Sequence, residues 1–220
     1  MKKSAPPKLF LAVAAMTIIS FAFSACTNPQ AQNSSVLTVP GKQKKTATPE
    51  EKKALQDQLQ KAADSKDYAA FGGLLAQVYA NGWEGEDDFR KIESGLYVKG
   101  TELFVAGKLD EAAKMADTIY AKVYESWRFK YLRIRCLQKY GQNAFDKGDL
   151  ATAQKYAMQI MSIEFRPEGV NLMAKIFIKQ AQDAIKNGDK ALAKKILMQS
   201  NEMEIDPALR KQIDDMMKNL

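Results

Sequence analysis

Gly-Thr-Glu-Leu-Phe-Val-Ala-Gly-Lys-Leu-Asp-Glu-Ala, residues 100–112, returns in altered form as Gly-Gln-Asn-Ala-Phe-Asp-Lys-Gly-Asp-Leu-Ala-Thr-Ala at 141–153. It returns again as Ala-Gln-Asp-Ala-Ile-Lys-Asn-Gly-Asp-Lys-Ala-Leu-Ala at 181–193. In each copy a small residue (Gly100, Gly141, Ala181) precedes a glycine (Gly107, Gly148, Gly188) by seven positions. An alanine (Ala112, Ala153, Ala193) follows that glycine by five, and the copies begin 41 and 40 residues apart. Self-similarity at such a period is the signature of stacked helical hairpins, because one hairpin cannot bury its apolar face alone. The glycine supplies the left-handed backbone that ends a first helix. The small residue and the alanine are expected to meet across the hairpin, where larger side chains would push the helix axes beyond the usual ~8–10 Å.

The period extends upstream. Leu55, Leu96, Leu137 and Phe177 are equivalent positions at intervals of 41, 41 and 40. Leu59 then stands where later copies have Gly100, Gly141 and Ala181, and Phe71 stands where they have alanine. This first repeat is divergent, as terminal repeats commonly are. Gly72-Gly73 is expected to interrupt its second helix and loosen or rearrange its packing. Thr48-Pro49-Glu50-Glu51 reads as a helix start, with Thr48 as N-cap, proline in the first turn and acids near the positive end of the dipole.

The predicted helices run from 48 to 64, from Tyr68, and from the acidic run Glu86-Asp87-Asp88 to about Ala106. Further helices are predicted from Leu109 to about Glu125, from Trp127 towards Gly148, and from Leu150 to Phe165. The last ones span Glu168 to Lys186, the stretch after Gly188 to Met203, and Asp206-Pro207 to Leu220. Repeats are thus expected at about 48–83, 86–125, 126–166 and 168–204, with a capping helix at 206–220. The whole repeat domain is 48–220.

Small–x6–Gly–x4–Ala, an apolar residue four before the small one, and Pro167 and Pro207 after the second helices resemble the tetratricopeptide repeat over about residues 50–207. That family's period is about 34 residues. The longer period here lengthens the first helix of each hairpin. The resemblance implies an all-α fold, a right-handed α-solenoid of helical hairpins whose first helices line a partner-binding groove. The groove positions it implies are Ser94, Tyr97, Thr101 and Phe104, then Arg135, Gln138, Gln142 and Phe145, then Lys175, Ile178, Gln182 and Ile185. Of these, Phe104, Phe145 and Ile185 are expected in the hairpin core. Tyr97, Thr101, Arg135, Gln138, Gln142, Lys175, Ile178 and Gln182 remain as the candidate partner-binding set.

At the other end, Lys2, Lys3 and Lys8 precede an apolar run from Leu9 to Phe23 and the small residues Ser24-Ala25. This is the pattern of a secretory signal peptide, too short for a bilayer span of about 20 residues. Phe23-Ser24-Ala25-Cys26 resembles the bacterial lipobox, with phenylalanine where leucine is usual. It implies a signal peptide at 1–25 and lipidation of Cys26 by palmitate-type acyl chains, several of which would anchor the protein stably. Thr27 after Cys26, by the same resemblance, implies the outer membrane. The alternatives left open are a retained signal anchor and a soluble product. Residues 26–47 are polar and proline-containing, the composition of a flexible tether.

Composition narrows the chemistry. The formal charge is +7, but six of the 33 basic residues precede residue 46, leaving 27 against 26 acids in 50–220. Such a near-neutral body is no phosphate-binding stripe, so no nucleic-acid partner is expected. Trp127-Arg128-Phe129-Lys130-Tyr131 interleaves aromatic and basic residues, yet its helical spacing predicts core packing with an exposed basic flank. The chain has no histidine, which removes the commonest general base and metal ligand. No metal, cofactor or catalytic residue is expected. Cys136, the remaining thiol after Cys26, is expected buried, and the methionines are expected mostly in the core.

The leading expectation is therefore a lipid-anchored envelope scaffold or adaptor, binding an envelope protein or peptide and serving assembly of an outer-membrane or secretion complex. The alternative is an envelope ligand-binding protein or cell-wall enzyme using the stack as a cleft. Its only acidic cluster would be Glu84, Glu86, Asp87 and Asp88, which also reads as a helix start.

Overall fold

The computed structural model describes residues 46–163 and 167–220, all within the unit Gly41–Leu220, and every regular element among them is an α-helix. The signal peptide at 1–25, Cys26 and the tether up to residue 45 lie outside the described residues, as does Arg166. In order the helices are α1 (Pro49–Asp64), α2 (Tyr68–Ala80), α3 (Asp87–Val105), α4 (Leu109–Tyr120) and α5 (Trp127–Asp146). They continue as α6 (Leu150–Ile163), α7 (Pro167–Lys186), α8 (Lys190–Met198) and α9 (Pro207–Lys218).

The corners between paired helices share one geometry. Gly107, Gly148 and Gly188 have φ of +77°, +78° and +81°. At each, the next residue's N–H donates to the carbonyl five residues back: Lys108 to Leu103, Asp149 to Ala144 and Asp189 to Ala184, all at 2.9 Å. This closes the orphan carbonyls of the first helix. Asp149 and Asp189 then start the second helix by accepting from the backbone N–H of Thr152 and Leu192, so Gly-Asp both ends one helix and begins the next. The divergent first hairpin makes the same corner without glycine. Lys66 sits at φ 58°, seven residues after Leu59, and Asp67 N–H donates to the Ala62 carbonyl at 2.9 Å. α1 itself starts as read, with a Thr48–Glu51 capping box and Pro49 in the first turn.

Within each pair, α1 and α2, α3 and α4, α5 and α6, and α7 and α8 pack together. The first helices also pack in succession, α1 on α3, α3 on α5 and α5 on α7, and α9 lies on α7 and α8. What fills the small positions differs in part from expectation. A Cβ at Gly100 would stand 2.6 Å from Leu132 Cδ2 and 2.8 Å from Met115 Sδ. At Gly141 it would stand 2.5 Å from Leu172 Cδ2 and 3.2 Å from Tyr156 Cβ, with the Ala153 carbonyl at 3.8 Å. The tightest neighbour is thus a leucine from the next first helix, so the small residues let successive hairpins nest as well as letting one hairpin close. Ala112, Ala153 and Ala193 are fully buried.

Gly72-Gly73 does not interrupt α2, which runs from Tyr68 to Ala80. Gly72 instead admits α4, whose Ile119 Cα would lie 3.3 Å from a Cβ there. Phe71, in the alanine position, is fully buried and packs edge-to-face on Phe129 at 6.1 Å. Such a pair contributes about 0.5–1.5 kcal/mol beyond area burial. Three second helices end earlier than expected or at the edge of the described residues. α4 stops at Tyr120, α6 reaches Ile163, and α8 stops at Met198, after which Arg210 of α9 donates to the Ser200 and Met203 carbonyls at 2.9 and 2.7 Å.

Among the described residues no helix is long and apolar enough to cross a membrane. Met115 and Met173 are core residues, but Met158 and Met198 are about half exposed, so the methionines are not uniformly core filler. Cys136 is buried.

Candidate functional site

The exposed side of α3, α5 and α7 gathers most of the expected groove residues. On α5, Trp127, Tyr131, Arg135, Gln138 and Gln142 follow one another at spacings of three and four, which places them on one face. Three cross-helix contacts join that face to its neighbours. The Tyr97 ring of α3 lies 6.1 Å from the Trp127 ring, tilted at 53°. The Arg135 guanidinium lies 4.4 Å from the Phe104 ring centroid, and 5.9 Å from that of Tyr131 on its own helix. Lys175 Nζ of α7 donates to Gln142 Oε1 at 3.4 Å.

Arg135 makes no ion pair among the described residues; the two aromatic rings are its support. A guanidinium held flat on rings keeps its planar fork available to a carboxylate. Thr101, on the same side of α3 as Tyr97 and Phe104, has a buried hydroxyl without a hydrogen-bond partner among the described residues. Trp127 is 57% exposed, with Arg128 Cζ 4.8 Å from its ring. This corrects the expectation that the aromatic–basic run packs inward. Phe129 does, fully buried, but Trp127 is the first residue of α5 and lies outside against Tyr97 and Arg128.

Gln138, Gln142 and Lys175 also line a polar cleft of about 510 Å³, together with Glu168, Asn171 and Asp206. Glu168 Oε2 is buried there without a partner among the described residues. One expected groove residue falls elsewhere. Ile178 is buried in the cluster that includes Ala181, Leu197 and Ile213 of α9, because the last helix covers that stretch of α7. Gln182 is exposed. Of the three residues assigned to the core, Phe104 and Phe145 are half-buried and Ile185 is 37% exposed.

Sequence reasoning missed Glu93. It is 1% exposed on α3, where Ser126 Oγ donates to it at 2.6 Å and the Tyr79 hydroxyl at 3.2 Å. Arg128 pairs with its other oxygen at 3.2 Å. Burial first, then the Glu93 charge, pushes the Tyr79 phenol upward, which keeps it a donor. The signal was present: Phe89, Glu93, Leu96 and Gly100 form one helical stripe, with a carboxylate in an apolar register. The network ties α2, α3 and the start of α5, and so holds Arg128 beside Trp127.

Of the acidic cluster, Glu86, Asp87 and Asp88 stand at the start of α3, whereas Glu84 precedes it with a buried Oε2 that has no partner among the described residues. Glu86 pairs with Lys52 at 2.8 Å, Asp88 with Lys91 at 3.7 Å, and Asp87 with Arg90. Among the described residues no group of histidine, cysteine, aspartate or glutamate could hold a metal ion. Cys136 sits in the core, where burial pushes its thiol up to about 11, away from thiolate reactivity.

No protein-family model, curated protein or solved structure matches the chain.

Proposed function

We propose that this chain is a lipid-anchored adaptor of the bacterial envelope, anchored through Cys26 and most at home at the outer membrane. Its repeat domain reads as a tetratricopeptide-like right-handed solenoid with a period of about 40 residues, for which the corners at Lys66, Gly107, Gly148 and Gly188 speak. In this reading α9 is the cap. The protein serves as a scaffold, not an enzyme, and holds a segment of another envelope protein against α3, α5 and α7.

The observation that carries the reading is the aromatic–arginine face, where Arg135 rests on Phe104 and Tyr131 with no carboxylate partner among the described residues. The fitting partner segment has apolar side chains for the Tyr97–Trp127 ledge and a carboxylate for Arg135. Arg135→Glu and Trp127→Ala should each release a co-isolated envelope partner while leaving the helical signal intact. Retention of that partner by both variants would contradict the reading. Cys26→Ala should move the protein out of the membrane fraction, and continued membrane association would contradict the anchor.

The orphaned Glu168 oxygen in the polar cleft favours a second reading, a small polar ligand bound between α5 and α7. Glu168→Gln would then abolish binding that Arg135→Glu leaves unchanged.

A further inference from the structure

The corner between α7 and α8 and the outer side of α8 carry apolar and basic side chains that the groove does not use. Ile185, Leu192 and Met198 are 37%, 39% and 54% exposed. Lys186, Lys190, Lys194 and Lys195 are exposed around them, and none of the four forms an ion pair among the described residues. From Ala184 to Asn201 the sequence has those four lysines and one acid, Asp189, whose carboxylate is occupied as the N-cap of α8.

α8 buries only Ala193 and Leu197, so nearly its whole circumference beyond that seam is open. Ala191, Lys195 and Met198 fall at i, i+4 and i+7 on the outward side, with Leu192 on one flank and Lys194 on the other. Of the neighbouring acids, Asp214 of α9 is exposed and has no ion pair among the described residues, and the others are paired or lie off the face. Asp183 is held by Lys179 at 3.2 Å and Asp215 by Lys218 at 3.7 Å, while Glu202 and Glu204 lie beyond the C-terminal end of α8.

We propose that this face rests on an anionic lipid bilayer, with Leu192 and Met198 entering the headgroup boundary and the lysines pairing with lipid phosphates. Lysine suits this geometry because its methylene stem lies along apolar surface while the ammonium reaches the headgroups. Juxtamembrane lysines are attracted by an anionic leaflet over about one Debye length, so a domain already held near the membrane gains most. The proposal rests on the lipid-anchor reading only for the bilayer being within reach. A second attachment near the C-terminal end would fix which side of the domain the α3–α5–α7 face presents.

The test uses residues 46–220, which contain every buried cluster of the described fold and omit both the lipidation site and Lys42, Lys44 and Lys45. A cooperative thermal transition is the entry condition for each variant. Co-sedimentation with phosphatidylglycerol-containing vesicles should exceed that with phosphatidylcholine vesicles by about tenfold or more and fall with added salt. Lys194→Glu with Lys195→Glu should remove that preference. Leu192→Gln with Met198→Gln should weaken binding several-fold, and Lys147→Glu with Lys155→Glu, elsewhere on the surface, should leave it unchanged.

Equal binding to both vesicles would overturn the proposal. So would undiminished binding by either α8 variant, or an equal loss in the control variant. These outcomes are independent of Cys26→Ala fractionation in cells, so failure of the α8 contact and failure of the anchor are told apart.

Discussion

Gly141→Ala is the sharpest probe of how the hairpins nest. The added methyl would lie 2.5 Å from Leu172 Cδ2 and 3.2 Å from Tyr156 Cβ, whereas carbon atoms rest comfortably at about 3.5–4.0 Å. The leucine methyl must therefore swing by roughly 1 Å. It has little room, since Leu172 is only 4% exposed. The tyrosine Cβ is fixed to the α6 backbone and must retreat by a few tenths of an ångström. Overpacking of this kind costs about 1–3 kcal/mol. Replacing glycine inside a helix returns about 0.5–1 kcal/mol, so the net loss should lie between about 0 and 2.5 kcal/mol.

The third copy carries alanine here, and Ala181 is fully buried, so the penalty belongs to the Leu172 neighbour and not to the position as such. Leu172→Ala alone should cost about 2–5 kcal/mol. In that background Gly141→Ala should become neutral or stabilising, giving a coupling of at least about 1 kcal/mol. Urea unfolding of residues 46–220, followed by far-UV circular dichroism, measures all four corners of the cycle. Equal stabilisation by Gly141→Ala in both backgrounds would refute the close approach of α5 and α7.

The remaining expectations concern the first hairpin, the buried carboxylate and the alkaline limb. Lys66→Gly should raise stability by up to about 1 kcal/mol, because a side chain at φ 58° costs about 1–2 kcal/mol and glycine gives back part of that through unfolded-state freedom. A lower melting temperature would contradict the shared corner geometry. Glu93→Ala removes the buried acceptor that Arg128, Tyr79 and Ser126 share and leaves the Arg128 charge without its carboxylate, and should cost about 3–5 kcal/mol. Glu93→Gln keeps an acceptor and should cost about 1–2 kcal/mol, so equal denaturant midpoints for the two variants would count against the network.

The Cys136 thiol is pushed by burial from 9.0 up to about 11. Between those values the unfolded chain has released a proton that the fold still holds, so the contribution is full below about pH 9 and is lost as pH rises, by at most about 1.4 kcal/mol per unit. Tyr79 and Tyr140, both raised by burial, act in the same sense. Melting temperatures taken from neutral pH to about pH 11 should fall less steeply in Cys136→Ala, and identical slopes would refute the assignment.

What could be read in the sequence were the features encoded locally. Gly107, Gly148 and Gly188 announce corners because few other residues hold that backbone cheaply, and Thr48 with Glu51 announces a start through its own hydrogen bonds. Features set by distant neighbours were less visible. Lys66 takes the glycine conformation because the hairpin closes around it, and Gly72 is a contact point for α4 and not a break. Ile178 has groove spacing, yet α9 covers it.

The groove was legible to the extent that helical register alone places Tyr97, Thr101, Arg135, Gln138, Gln142 and Lys175 on exposed or half-buried turns. Trp127 was misplaced because periodicity treats the first turn of a helix like its middle, although there only Phe129 turns into the core and Trp127 stays 57% exposed beside Tyr97 and Arg128. Glu93 was overlooked for a related reason. A carboxylate in an apolar stripe is buried only when donors arrive from elsewhere, here Tyr79, Ser126 and Arg128.

Site-specific photocrosslinking in cells tests the adaptor reading most directly. A photoreactive residue placed at Arg135 or Gln138 should give one discrete adduct with an envelope protein. The same residue at Lys155, exposed on α6, should give none. Adducts that appear equally from both sides, or from neither, would contradict the claim that the α3–α5–α7 face holds the partner.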